Sequence, residues 1–158
     1  MQQNAINNLL DFIRLLDNTM DTAAEIKTPL KGTKFFKYFN TFEKQCLGLY
    51  NKIYKDVYSL DEEGAGVKKK VIMISRIIKA DIILITTRYK TIESEMAELR
   101  PYISENSLLY NKSDKQIVQA ILKLNELYSN LVGLAELLPK DQRSTGARTV
   151  RLFKNMFS

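Results

Sequence analysis

Histidine and tryptophan are absent from this chain of 158 residues, and cysteine occurs once, at position 46. Without histidine there is no imidazole base and no Cys/His zinc set. One cysteine cannot close an intrachain disulfide. Six glycines and three prolines leave too little turn chemistry for a many-stranded fold. Long apolar runs are missing as well. The richest stretch, VIMISRIIKADIILI from Val71 to Ile85, is broken by Arg76, Lys79 and Asp81. It falls short of the ~20 apolar residues a membrane span requires. The opening MQQNAINNLLDF lacks the basic and apolar regions of a signal peptide. These features predict a chain without a membrane span, not secreted by a signal peptide, and either cytoplasmic or incorporated in a particle. What is present is an ordinary globular mixture, 45% hydrophobic and 27% charged, with a net charge of +6.

Apolar spacing of three and four predicts four long helices. In the first, about residues 3 to 26, the seam is Ile6, Leu9, Ile13, Leu16, Met20 and Ala23. The KTPLKGT stretch, with Pro29 and Gly32, then turns the chain. The second helix starts near Thr33 or Lys34, and its seam runs Phe35, Phe39, Phe42, Cys46, Leu49, Ile53, Val57, Leu60. The third is expected from Val67 to Arg100, a rod of roughly 50 Å. Its seam is Val71, Ile74, Ile78, Ile82, Ile85, Tyr89, Ile92, Met96 and Leu99, and Pro101 marks its end. Ser113 and Gln116 read as a capping box opening the fourth helix. The fourth seam is Ile117, Ile121, Leu124, Tyr128, Leu131, Ala135 and Leu138, and Pro139 stops it. The fold expected is all-α: an antiparallel up-down-up-down four-helix bundle over residues 1–141. A short basic amphipathic helical tail, 142–158, carries Val150, Phe153 and Phe157 on one side.

Two surfaces stand out. On the second helix Lys34, Lys37, Lys44, Lys52 and Lys55 fall within an arc of about 80°, opposite the apolar seam, at ~100° per residue. A solvated helix face has this composition too. Such faces usually mix signs, however, and five lysines with no acid between them point to an anionic partner, most commonly a nucleic-acid backbone. Arg148 and Arg151 of the tail, where four cations occur without an acid, would assist. On the third helix Ile72, Met73, Ile77, Ile83 and Leu84 project away from the seam. Either another subunit covers them, or the chain's own tail and its Ser104–Asn111 segment do. Asp81 and Arg88, at the edge of this face, could pair with each other or across a subunit contact.

Enzyme signatures are wanting. The Glu93, Glu95, Glu98 cluster has no histidine and spreads around its helix. Cys46 lies in an apolar seam, where a thiol is inert. GAGVKKK lacks the Gly-Lys-Ser/Thr ending of a phosphate-binding loop. STGAR offers at most a small anion nest at a helix start. No catalysis, cofactor or metal is expected.

The order of parts, KTPLKGTKFF between two helices, then IIKADIILITTRYKTI in a long third helix and LKLNELYSNLVGL in a fourth, resembles two related groups. These are the four-helix-bundle proteins encoded in ribosomal-RNA intervening sequences and the accessory proteins of diversity-generating retroelements. The resemblance spans about residues 5 to 138 and is one of layout. It implies a basic oligomeric bundle that binds nucleic acid and a reverse transcriptase without catalysis of its own.

The expected function is a non-catalytic, basic helical-bundle protein of a virus or mobile element. It would associate with nucleic acid in an accessory role within a larger assembly, as a homo-oligomer. The rival is a structural assembly subunit, of a virus particle or secretion apparatus. Such a subunit would act through protein contacts of the third helix or the tail.

Overall fold

In a computed structural model, residues 2–60, 64, 66–97 and 112–138 are described. They form four α-helices, one turn of 3-10 helix and no strand. The helices are α1 (Gln2–Lys27), α2 (Lys34–Tyr58), α3 (Val67–Ala97) and α4 (Lys112–Glu136). The tail beyond Leu138 and the stretch from residue 98 to 111, Leu99 included, lie outside the described residues.

Pro29 sits in the 3-10 turn Thr28–Leu30 that ends α1. Gly32 follows at φ 88°, a left-handed backbone that a side chain would strain. The Thr33 amide donates to the Leu30 carbonyl at 3.0 Å and the Thr33 hydroxyl at 2.7 Å, closing the turn. Leu30 itself is buried beneath it. Gly66, at φ 92°, makes the second sharp change of direction, and its carbonyl accepts from the Lys70 amide as α3 starts. α4 includes Ser113 within its first turn. The side chains of Ser113 and Gln116, on which the expected capping box rests, lie outside those described.

α1 packs on α2 and α4, α2 also on α3, and α3 also on α4. The core runs between them. Every α2 seam residue from Phe35 to Val57 is buried, as is every α3 seam residue from Val71 to Met96. Met20 and Leu60 are only half-buried. α1 adds Phe12 and Ile26, which lie beside the expected seam and are fully buried. α4 turns slightly from its expected face. Leu127 and Leu134 are buried while Tyr128 is half-buried, because the leucines lie on the a/d-like series Leu124, Leu127, Leu131, Leu134, Leu138. At Gly133 an added Cβ would lie 2.9 Å from Leu15 Cδ2, so any side chain there must displace that leucine methyl. Thr19, Thr22, Ser75 and Thr86 are buried, and each hydroxyl donates to the carbonyl four residues earlier.

Candidate nucleic-acid interface

The faces of α2 are set by its partners. The seam points at the core. On one flank Lys34 meets Glu95 of α3 at 3.0 Å, and Lys52 meets Asp81 of α3 at 2.8 Å. Tyr38 donates its hydroxyl to the same Glu95 at 3.2 Å. On the other flank Lys27 of α1 reaches Glu43 at 2.7 Å and Asn40 at 3.5 Å. Tyr50 and Tyr54 stack with ring centroids 5.4 Å apart along this side. The strip left facing solvent holds Lys37, Lys44 and Lys55, all exposed, with no ion-pair partner among the described residues. They fall within about 20° of one another around the helix at ~100° per residue.

The five-lysine stripe of the sequence thus divides. Three members form the outer row, and two are drawn toward α3 by acids on that neighbouring helix. Asp81 takes Lys52 rather than Arg88. Arg88 Nε and Gln45 Oε1 are buried without a hydrogen-bond partner among the described residues. Because Gln45 precedes Lys52 by seven residues and Arg88 follows Asp81 by seven, the two groups lie at the same level of the α2–α3 contact. The Lys34 ammonium and the Tyr38 hydroxyl hold Glu95 in its charged form. The Lys34 ammonium lowers its pKa most, the Tyr38 hydroxyl contributes, and partial burial opposes them.

Further cations, in the GAGVKKK segment that lacks the ending of a phosphate-binding loop, open α3. Lys68, Lys69 and Lys70 are exposed in the first turn of α3, which holds no acid. The eight residues between Tyr58 and Val67 place this turn near the end of α2 that carries Lys55. The signal was the KKK run itself. Arg148 and Arg151 lie outside the described residues.

Of the α3 residues expected to face another subunit, Met73, Ile83 and Leu84 are 53%, 50% and 57% exposed. Ile72 is half-buried, and Ile77 packs against the core cluster. Cys46 is fully buried, and burial, with the Glu43 charge adding, pushes its thiol up to about 12. It cannot serve as a nucleophile in the folded chain. Among the described residues no group of three His, Cys, Asp or Glu is placed to hold a metal ion. Among the same residues no helix is long and apolar enough to cross a membrane. Comparison with known protein families, with curated proteins and with solved structures finds no match to this chain.

Proposed function

We propose that this chain is a non-catalytic, basic helical protein that binds a nucleic-acid backbone through the outer row of α2, in an accessory role within a larger assembly. The observation that carries the reading is the division of the lysines. The α3 acids facing α2, Asp81 and Glu95, are taken up by Lys52 and Lys34. Lys37, Lys44 and Lys55 keep their charge toward solvent. This row is about 27 Å long at 1.5 Å per residue, the axial length of roughly eight base steps of a duplex. Lys68, Lys69 and Lys70 add exposed cations at the start of α3.

A rigid support favours such a row. We read the four helices as an antiparallel up-down-up-down bundle. Support comes from the cross-helix contacts: Lys34 early in α2 meets Glu95 late in α3, and Lys52 late in α2 meets Asp81 nearer the α3 start. Likewise Asn130 of α4 reaches Thr22 of α1, while Gly133 faces Leu15. The layout resemblance to bundle proteins of ribosomal-RNA intervening sequences and retroelements agrees with this role.

The test is a titration of labelled duplex and single-stranded RNA and DNA at low ionic strength. Binding should occur without sequence preference, because phosphate contacts carry no base information. Lys44→Gln should weaken it more than Lys52→Gln, whose ammonium is already engaged. Absence of any affinity in the parent protein would sink the proposal. It would promote the second reading, an assembly subunit acting through protein contacts, which the exposed Met73, Ile83 and Leu84 favour.

A further inference from the structure

The outer face of α3 differs from that of α2 and does not depend on the nucleic-acid reading. Met73, Ile83 and Leu84 stand exposed on it. Between them lie small exposed residues, Ala80, Thr87 and Ser94, seven apart. A seven-residue repeat of small positions on an apolar strip is what a second helix needs to approach closely and seat its own large side chains. A flat lipid surface has no use for that repeat.

Charge narrows the occupant. Arg76 and Lys90 are exposed in the same seven-residue row as Ile83, one heptad before it and one after, and Lys79 is half-buried next to that row. Burial, and then the charge of Arg76, lowers the Lys79 pKa, so cations are crowded on this side. The α3 acids are elsewhere. Asp81 and Glu95 turn to α2. Glu93 follows the buried Ser75 by five helical turns and so lies on the far side from Met73.

A symmetric contact between two copies would set Arg76 and Lys90 against their own cations. The acidic face of the chain, on α1, holds Asp11, Asp17, Asp21 and Glu25, but its exposed residues are all polar. It would leave Met73 and Leu84 without an apolar counterpart. The residues from Gln142 onward carry four cations and no acid, and they meet the same repulsion.

We propose that the outer face of α3 docks an amphipathic helix of a different protein. That helix would present an apolar seam to Met73, Ala80, Ile83, Leu84 and Thr87, and acidic flanks to Arg76, Lys79 and Lys90. This is helix-on-helix recognition with charge choosing the partner.

The probe is a designed helix of about three heptads with Ile and Leu at a and d and Glu at every e and g, which keeps it from pairing with itself. Its control carries Lys at e and g. Binding to the full chain is followed by calorimetry, with light scattering on the same samples. The acidic peptide should bind at least about tenfold more tightly than the lysine peptide, because like charges across a contact are penalised. Ala80→Gln with Thr87→Gln, which adds bulk without charge on exposed helix positions, should abolish that binding and leave helix content unchanged. Replacing Lys37, Lys44 and Lys55 on α2 should leave it intact. Equal affinity for the two peptides would overturn the proposal, as would no binding, which is the result if the chain's own residues already cover the face. Self-association abolished by Ile83→Lys would assign the face to a second copy. Sedimentation with phosphatidylserine vesicles, lost in the same variant, would assign it to a membrane. Either result also overturns the proposal.

Discussion

α2 and α3 are built alike on the inside and differently on the outside. Each buries an unbroken seam, Phe35 to Val57 in one and Val71 to Met96 in the other. Outward, α2 offers Lys37, Lys44 and Lys55, and large apolar exposure is confined to Leu47 and Tyr58 near its flank. α3 offers Met73, Ile83 and Leu84 among Arg76 and Lys90. Charge alone suits a polyanion, whose contacts are long-ranged and tolerant of geometry. Charge mixed with apolar side chains suits a surface that must be desolvated to be recognised. One chain thus carries two kinds of outer face on adjacent helices, and the seams that hold them are independent of both.

That independence is tested first by the interior. Phe42→Ala removes a fully buried ring from α2 and should cost about 3–5 kcal/mol in urea unfolding. The outer-face substitutions should cost almost nothing by the same measurement. A large loss from Lys44→Gln would break the comparison, because it would make the outer row part of the scaffold.

A smaller effect is expected at the α1–α4 crossing. Gly133→Leu must displace Leu15 and should destabilise by about 1–3 kcal/mol, the usual range for overpacking. Gly133→Ala should come out near neutral. There the gain of about 1 kcal/mol from helix propensity offsets the shift of one flexible leucine methyl. Thermal unfolding of the two variants separates these outcomes.

The lysines of α2 themselves divide more finely. Lys52 bridges to Asp81 with its side chain 57% exposed and that of the acid 16%. Lys52→Gln should therefore cost about 0.5 kcal/mol, at the level of surface pairs, and Lys44→Gln nothing measurable. A double-mutant cycle with Asp81→Asn reads the coupling directly. No coupling would return Lys52 to the outer row.

The smallest expected effect depends on pH. Glu95 has its pKa lowered in the folded chain by Lys34 and Tyr38. A lowered carboxyl pKa stabilises the fold above the unfolded value, near 4.5. That contribution is lost as pH falls through the lower folded value. Glu95→Gln should flatten the acid limb of the stability curve below about pH 4.5 and leave the neutral plateau almost unmoved. An unchanged acid limb would show that Lys34 does not hold this acid in solution.

Much of the interior was legible from spacing. The α2 and α3 seams follow directly from three-and-four periodicity, since a single helix wheel contains all that is needed to find an apolar face. Phe12 and Leu127 escaped because the buried arc is wider than a single row once two neighbours flank the helix. The outer row was legible in part. Lys37, Lys44 and Lys55 could be placed by angle, but the acids that claim Lys34 and Lys52 belong to another helix, and no wheel drawn for α2 contains them. Asp81 was visible as a charge at the edge of the α3 face. Its partner depended on which helix lies beside it, a fact of tertiary packing rather than of local sequence.

The central claim is that Lys37, Lys44 and Lys55 contact phosphate. The most direct measurement is the salt dependence of duplex binding for the parent chain and for the triple variant with Gln at these three positions. Each lost phosphate contact lowers the slope of log affinity against log salt by about 0.9. The variant should therefore show a slope shallower by about 2 to 3, with its melting temperature unchanged. Equal slopes and equal affinities in a folded variant would contradict the claim.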